Sequence, residues 1–112
     1  MNAVEIEEAI SILAEEPFDA VEFPYAFLEA FGNKATTINR LKSGSSNSSD
    51  KEGGVLQRNN IHILVCEEGR VTETLARLKA SPATSKAKAK FILATDGVDF
   101  EAEDLEGVNN SV

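Results

Sequence analysis

The first residues of the chain repeat apolar side chains at the spacing of an amphipathic helix. Over residues 3–14, apolar positions recur every three or four residues from Ile6 to Leu13, and glutamates fall largely on the other faces. Asn2 precedes this run in the position of a helix N-cap, with Glu5 three residues later as in a capping box. The pattern predicts a surface helix that covers the core with one face.

A second helix is predicted where Pro24 suits a first turn and Gly32 suits a C-terminal stop. Phenylalanines spaced by four residues form a single ridge on this helix, and packing in the core is their expected role. The ridge consists of Phe23, Phe27 and Phe31. A third, short helix is predicted over residues 35–42.

The segment from Ser43 to Gly54 contains no apolar residue. Its serine, glycine and asparagine content predicts a flexible surface loop. It lacks the Gly-x4-Gly-Lys-Ser/Thr spacing of a phosphate-binding loop. An insertion tolerated between two elements is one interpretation, and a loop that covers a ligand is the other.

Two extended runs follow the loop, residues 55–58 and residues 61–66. They flank Asn59-Asn60, and because asparagine tolerates left-handed backbone angles, this pair predicts a β-hairpin with a two-residue turn. The second run is almost wholly apolar, which is typical of a strand covered on both faces.

The rest of the chain predicts a helix over residues 70–80 and a second buried strand at residues 91–94. Since a helix separates the two apolar strands, the economical topology is a right-handed crossover with the strands parallel. Asp96-Gly97 predicts a turn, and residues 100–105 predict a final antiparallel strand. This order of elements predicts an α/β or α+β domain with three layers.

Length and composition fit one soluble domain. The chain has 112 residues, 42% of them hydrophobic, and a formal net charge of −8. Its longest apolar run, residues 61–66, is far shorter than the roughly 20 residues that cross a bilayer, so no membrane contact is expected. A single cysteine, Cys66, forms no internal disulfide, and the N-terminus has no secretory pattern. We therefore expect a cytoplasmic protein.

Charge is strongly segregated along the chain. Residues 1–32 carry eight acids and no base, and residues 91–112 carry six acids and no base. Residues 70–90 carry six bases against Glu73 alone. Because phosphate contacts need a basic surface, the chain as a whole is a poor binder of nucleic acid, and only residues 70–90 offer such a surface.

Side chains that carry catalysis are sparse. His62 is the single histidine and lies in an apolar strand, so a transition-metal site is not expected. Cys66 has no histidine close to it in sequence, which favours a buried inert thiol over a nucleophile. The chain has no Gly-x-Ser-x-Gly, Gly-x-Gly-x-x-Gly or Cys-x-x-Cys motif.

The hairpin matches one catalytic layout. Magnesium nucleases of the PD-(D/E)xK class place an Asp on one hairpin strand and a Glu-x-Lys on the next. The two carboxylates hold the metal, and the lysine orients or activates water. That geometry needs a strand, a tight turn and a second buried strand, which is the layout predicted for residues 55–66.

Three segments make the chain resemble a known family. They are Phe-Pro-Tyr-Ala-Phe-Leu-Glu-Ala-Phe-Gly-Asn at 23–33, Gly-Val-Leu-Gln-Arg-Asn-Asn-Ile-His-Ile-Leu-Val at 54–65, and Lys-Phe-Ile-Leu-Ala-Thr-Asp at 90–96. In order and spacing they resemble the N-terminal domain of MmeI-like (type IIL) restriction-modification enzymes and their adenine-specific DNA methyltransferase relatives. The resemblance implies a restriction-endonuclease-like mixed sheet flanked by helices, with residues 1–112 as a single nuclease-like domain.

The resemblance also implies a longer parent protein, with an S-adenosylmethionine-dependent adenine methyltransferase and a target-recognition domain beyond residue 112. The expected partners are the parent's methyltransferase domain and, through the parent, DNA. No cofactor is expected in this segment, and Mg²⁺ only if the nuclease is active. Residues 106–112 predict no element, which favours a longer chain.

Nucleases of this kind show Asp, nine residues, then Glu-x-Lys. Laid on this chain, these positions fall on Gln57, Glu67 and Gly69. Glutamine is a weak metal ligand and glycine supplies no ammonium group, so Glu67 alone is a weak metal candidate. We therefore expect a degenerate nuclease domain without confident catalytic residues, acting as a scaffold or docking module for the methyltransferase.

Two other functions stay open. In the first, the domain is a magnesium-dependent endonuclease that takes a second carboxylate from Asp50 or Asp96 and a lysine from Lys86 or Lys88. In the second, it is a protein-interaction domain unrelated to DNA, whose acidic first helix binds a basic partner.

Four basic residues are candidates for contacts with DNA phosphates in the parent protein. They are Arg58, Lys86, Lys88 and Lys90. The three lysines alternate with alanines just before a buried strand, so a solvent-exposed strand entry is the other interpretation. Phosphate contacts of this kind would add affinity without sequence choice.

Overall fold

In the computed structural model, which describes residues 2–105, five helices and four strands form one mixed α+β fold. The elements are α1 (Ala3–Leu13), α2 (Phe23–Ala30), α3 (Ala35–Ser43), β1 (Val55–Gln57), β2 (Ile61–Val65), α4 (Val71–Ala80), α5 (Pro82–Lys86), β3 (Phe91–Thr95) and β4 (Phe100–Asp104). Residues 106–112, for which the sequence predicts no element, lie outside the described residues. No helix in the described range is long and apolar enough to cross a membrane.

The strands form one sheet in the order β1-β2-β3-β4. β1 and β4 are antiparallel to their neighbours, and the central pair is parallel, with Ile61 opposite Phe91 and Val65 opposite Thr95. α4 and α5 supply the connection between the two parallel strands. The predicted parallel pairing, hairpin and final antiparallel strand are confirmed.

Helices cover both faces of the sheet because side chains alternate along each strand. On β2, Ile61 and Ile63 pack with α1, α2 and α3, whereas Leu64 packs with α4 on the other face. The burial of this strand on both faces explains its near-continuous apolar sequence. The predicted three-layer arrangement, with helices flanking a mixed sheet, is confirmed.

The predicted ends and packing of the first two helices are also confirmed. The Glu5 N–H donates to Asn2 Oδ1 at 2.9 Å, which caps α1. α2 has its proline in the first turn, and Gly32 follows its end with φ of +87°. The phenylalanine ridge packs ring against ring, with centroid distances of 6.1 Å and then 5.1 Å along the helix.

The hairpin turn is one residue longer than predicted. Gln57 pairs with Ile61, so residues 58–60 form a three-residue turn. Asn59 adopts the left-handed conformation, with φ of +61°, and the Asn60 N–H donates to Gln57 O at 3.1 Å. The asparagine pair predicted the position of the turn correctly, but only Asn59 of the pair has a left-handed backbone conformation.

The sequence pattern also missed α5. Ser81-Pro82 ends α4 as predicted, but the same proline occupies the first turn of a further short helix. Proline is compatible with a helix start because the N–H that it lacks has no partner within the helix at that position. This short helix places Lys86 in its last turn.

Candidate functional site

The two strands of the hairpin contain no carboxylate: β1 is Val-Leu-Gln and β2 is Ile-His-Ile-Leu-Val. Gln57 pairs with Ile61 at the start of β2, whereas Glu67 is exposed beyond the far end of that strand. The chain from position 61 to position 67, if extended, spans roughly 20 Å. The structure therefore does not bring Gln57 together with Glu67 and Gly69, and these positions form no shared metal site.

Gln57 and Gly69 make structural hydrogen bonds instead. The Gln57 side chain donates to Asn33 Oδ1 at 2.9 Å and accepts from the Asn60 side-chain amide, which ties the hairpin to the α2–α3 connection. Gly69 has φ of +84°, and its N–H donates to Asp96 Oδ2 at 2.9 Å. Both positions therefore contribute hydrogen bonds that join separate segments of the chain.

The two alternative carboxylates are held by hydrogen bonds of their own. The Ser81 hydroxyl lies 2.8 and 2.9 Å from the carboxylate oxygens of Asp50, and this contact lowers the pKa of Asp50. Asp96 accepts three backbone N–H groups, which lower its pKa in the same way. Those donors belong to Asp99, Gly69 and Val98. Within residues 2–105, no group of three or more His, Cys, Asp or Glu side chains is arranged to hold a metal ion.

The four basic candidates converge at one end of the sheet. The hairpin turn contacts the segment 86–90, which leads into β3. One backbone hydrogen bond runs from Asn59 N–H to Ala87 O at 2.8 Å, and a second runs from Lys90 N–H to Asn60 O at 2.7 Å. Residues that are 28 or more positions apart in the chain thus share one surface.

We call Arg58, Lys86, Lys88 and Lys90 the basic end. All four side chains are exposed, and Arg58 and Lys86 line a common cleft of about 230 Å³. None of the four makes an ion pair within residues 2–105. The basic end therefore presents four cations without bound counter-charges from the described part of the chain.

Lys88, at the basic end, has a strained backbone conformation. α5 closes with a Schellman motif, in which the Lys88 N–H donates to Ser85 O at 3.0 Å and the Ala89 N–H donates to Thr84 O at 3.1 Å. Lys88 has φ of +57° in this motif, a conformation that usually selects glycine because a Cβ atom is disfavoured there. A lysine at this position therefore carries a backbone cost that glycine would avoid.

A buried polar network lies beside the basic end, on the α4–α5 face of the sheet. His62 is fully buried, with Nδ1 2.8 Å from Thr84 Oγ1 and Nε2 2.7 Å from Ser49 Oγ. The Thr84 hydroxyl donates to Leu78 O at 2.7 Å, so it accepts from Nδ1–H of His62. Because burial lowers the pKa of His62 to about 4, the imidazole is neutral near pH 7, and Nε2 then accepts from the Ser49 hydroxyl.

Further contacts attach the 43–54 segment to its surroundings. Asn47 Oδ1 accepts from the Leu56 N–H at 2.9 Å, and Asn47 Nδ2 donates to Gly54 O at 2.9 Å. The Ser81–Asp50 hydrogen bond joins the same segment to the α4–α5 connection. Strand periodicity identified His62 as buried but gives no signal for its partners, which come from distant segments. The flexibility predicted for this loop stays a prediction.

Burial also controls the protonation of the histidine. Removal of the imidazole from water lowers the pKa of His62 to about 4, the charge on Asp50 opposes this shift in part, and the charge on Lys51 adds to it. A protonated ring would lose the acceptor that binds the Ser49 hydroxyl.

The fold and the site define a class before any relative is considered. The protein is a mixed α+β domain whose hairpin strands lack carboxylates and whose sheet has four exposed cations at one end. The family model described as MmeI, N-terminal domain, matches residues 1–112, and the chain belongs to that family.

The chain is also similar to a DNA methyltransferase. The chain is 25% identical over 106 residues to DNA methyltransferase A of Bacillus subtilis (strain 168), a match that covers 95% of this chain and 12% of that protein. The chain thus spans about an eighth of the length of the relative it matches. No solved structure matches the chain.

The buried imidazole predicts acid sensitivity in a defined window. The folded-state pKa of His62, about 4, lies below the ordinary 6.5. The stability that the neutral imidazole contributes is therefore fully present above pH 6.5. It decreases as the pH falls towards 4, by at most about 1.4 kcal/mol per pH unit. Melting temperatures measured between pH 7.5 and 4 test this. In His62→Leu the melting temperature is lower at pH 7.5, but its decrease through this window is smaller. Parallel decreases in the two proteins would contradict the assignment.

Proposed function

We propose that this chain is the non-catalytic N-terminal domain of a DNA adenine methyltransferase and that it contacts DNA phosphates through its basic end. The observation that carries the proposal is the convergence of four exposed cations from two separate segments, none of which forms an ion pair with another residue in the range 2–105. Membership of the MmeI N-terminal family and the similarity to a DNA methyltransferase support the parent activity.

Electrostatics supports a single orientation towards DNA. The chain has a net charge of −8, and α1 and α2 with their connection carry acids and no base. Phosphate contacts release counterions only where cations are displayed, and like charge repels the duplex elsewhere. The basic end is therefore the surface that faces DNA in the proposed complex.

The absence of carboxylates from both hairpin strands supports a non-catalytic role. In the nuclease layout considered above, the two carboxylates that hold the metal lie on or beside the strands of the hairpin. Here the hairpin offers valines, isoleucines and an amide instead, and Asp50 and Asp96 are engaged by other donors. The residues present do not fit Mg²⁺ at the hairpin, so no step of the proposed function uses it.

We assign S-adenosylmethionine to the rest of the proposed parent. The chain contains no Gly-x-Gly-x-x-Gly turn, the feature that brings a backbone close to a bound nucleotide. The proposed domain instead positions the parent on DNA, and the methyltransferase and recognition parts select the base.

Activity assays on the full-length protein distinguish the methyltransferase hypothesis from the endonuclease hypothesis. The full-length protein, incubated with duplex DNA and radiolabelled S-adenosylmethionine, is expected to methylate adenine. With Mg²⁺ or Mn²⁺ in place of the methyl donor, it is expected to leave the DNA uncut. Glu67→Ala should change neither result. Metal-dependent cleavage that disappears in Glu67→Ala would show that the domain is an active nuclease.

A substitution of Lys88, whose backbone is strained, distinguishes an effect on DNA binding from an effect on folding stability. Lys88→Gly is expected to weaken DNA binding several-fold at about 0.1 M salt and to reduce the salt dependence by about one phosphate contact. The same change should leave stability unchanged or raise it by up to about 1 kcal/mol, because glycine relieves the left-handed strain but is freer when unfolded. Fluorescence anisotropy and thermal melting measure the two effects.

Lys88→Arg is the matched control, because it keeps both the charge and the backbone strain. It should bind DNA like the wild type. Wild-type affinity in Lys88→Gly would remove Lys88 from the proposed contact surface.

A further inference from the structure

Two clefts meet beside the hairpin turn. The smaller, about 230 Å³, lies between Arg58, Ser48 and Lys86. The larger, about 510 Å³, extends from Arg58 along the loop residues 45–48 to Arg40 of α3. Since Ser48 and Arg58 border both clefts, the two lie side by side between α3 and α5, and we call them together the groove.

The lining of this groove has the chemistry of an anion site. Three cations line it: Arg40, Arg58 and Lys86. The other polar groups along it are hydroxyls and amides, supplied by Thr37, the loop serines, Asn47 and Gln57, and none of the lining residues is acidic. Although the chain has a net charge of −8, a groove lined by three cations and no carboxylate attracts negative charge locally.

The walls of the groove are fixed by hydrogen bonds. The Ser48 N–H donates to Leu56 O at 3.0 Å, and Asn47 is bonded through both side-chain atoms. The next residue, Ser49, is held by the buried His62 at 2.7 Å. Gln57 on the opposite wall is held by Asn33. These bonds attach the loop that carries Ser48 to the hairpin and to His62, which limits the conformational entropy that the loop loses when a ligand binds.

We propose that this groove holds the sugar–phosphate backbone of one DNA strand, and that Arg40 and the loop hydroxyls bind phosphates together with Arg58 and Lys86. The proposal rests on the proposed function and extends its contact surface to α3 and the serine-rich loop. Arginine, hydroxyl and amide groups are the usual donors to DNA phosphates, and they position a protein without reading sequence. In this proposal the serine-rich loop forms one wall of the groove, and the hydrogen bond between Ser49 and His62 attaches that loop to the core.

The test compares two exposed helical arginines in the full-length protein. Arg40→Ala removes a cation from the groove, whereas Arg77→Ala removes one from α4, outside it. Both changes alter the net charge equally. With a fluorescent DNA duplex titrated at several salt concentrations, Arg40→Ala is expected to lose affinity several-fold and to reduce the salt slope by about one. Arg77→Ala is expected to match the wild type. Equal affinities in the two variants would overturn the proposal.

A second pair of variants introduces a negative charge, in one variant at the groove and in the other on α1. Ser48→Glu puts a carboxylate where the two clefts meet, and Ser11→Glu puts one on α1, where the serine is exposed. The first is expected to lower DNA affinity more than Arg40→Ala does, and the second to leave it unchanged. If melting shows that Ser48→Glu is unfolded, the Arg40→Ala comparison decides alone.

The Lys88→Gly variant distinguishes failure of the groove proposal from failure of the proposed DNA contact at the basic end, on which the groove proposal rests. Lost affinity in Lys88→Gly with wild-type affinity in Arg40→Ala and Ser48→Glu would overturn the groove and leave the basic end in place. Wild-type affinity in all three would overturn both.

Discussion

The parallel pairing of β2 with β3 determines which segments of the chain become neighbours. Parallel strands place like ends together, so Ile61 lies opposite Phe91 and the segments that precede them become neighbours. One of these is the hairpin turn with Arg58, and the other is residues 86–90 with the three lysines. The basic end therefore follows from the sheet topology, and it requires no attraction between the two segments. Helices cover the middle of β2 on both faces, which forces His62 to find hydrogen-bond partners inside the protein.

Most of the fold could be predicted from the sequence because the local signals agree with the tertiary structure. Apolar periodicity, the Asn2 cap, Pro24 and Gly32 each identify a helix or its end, and all of them act within a few residues. The parallel strands could be predicted because a helix lies between two apolar runs. The short helix α5 could not, since a proline that stops one helix and starts the next looks the same in the sequence.

The candidate site was only partly predictable, for geometric reasons. Counting ten residues from position 57 to position 67 ignores where the chain turns. With the turn centred on Asn59, the first position lies two residues from it and the second eight, so the two cannot be opposite each other on the hairpin. The four cations were identifiable as basic residues, but the contribution of Arg40 and the partners of His62 depend on contacts between distant segments. Such contacts leave no periodic pattern in the chain.

Contact between the basic end and DNA can be measured by hydrogen exchange of the full-length protein, followed by mass spectrometry with and without a DNA duplex. If the basic end faces DNA, exchange slows on DNA binding in residues 58–60 and 86–90 and is unchanged at the opposite end of the sheet, in residues 66–70. Protection confined to residues 66–70, or none at the hairpin turn and the lysine segment, would contradict it.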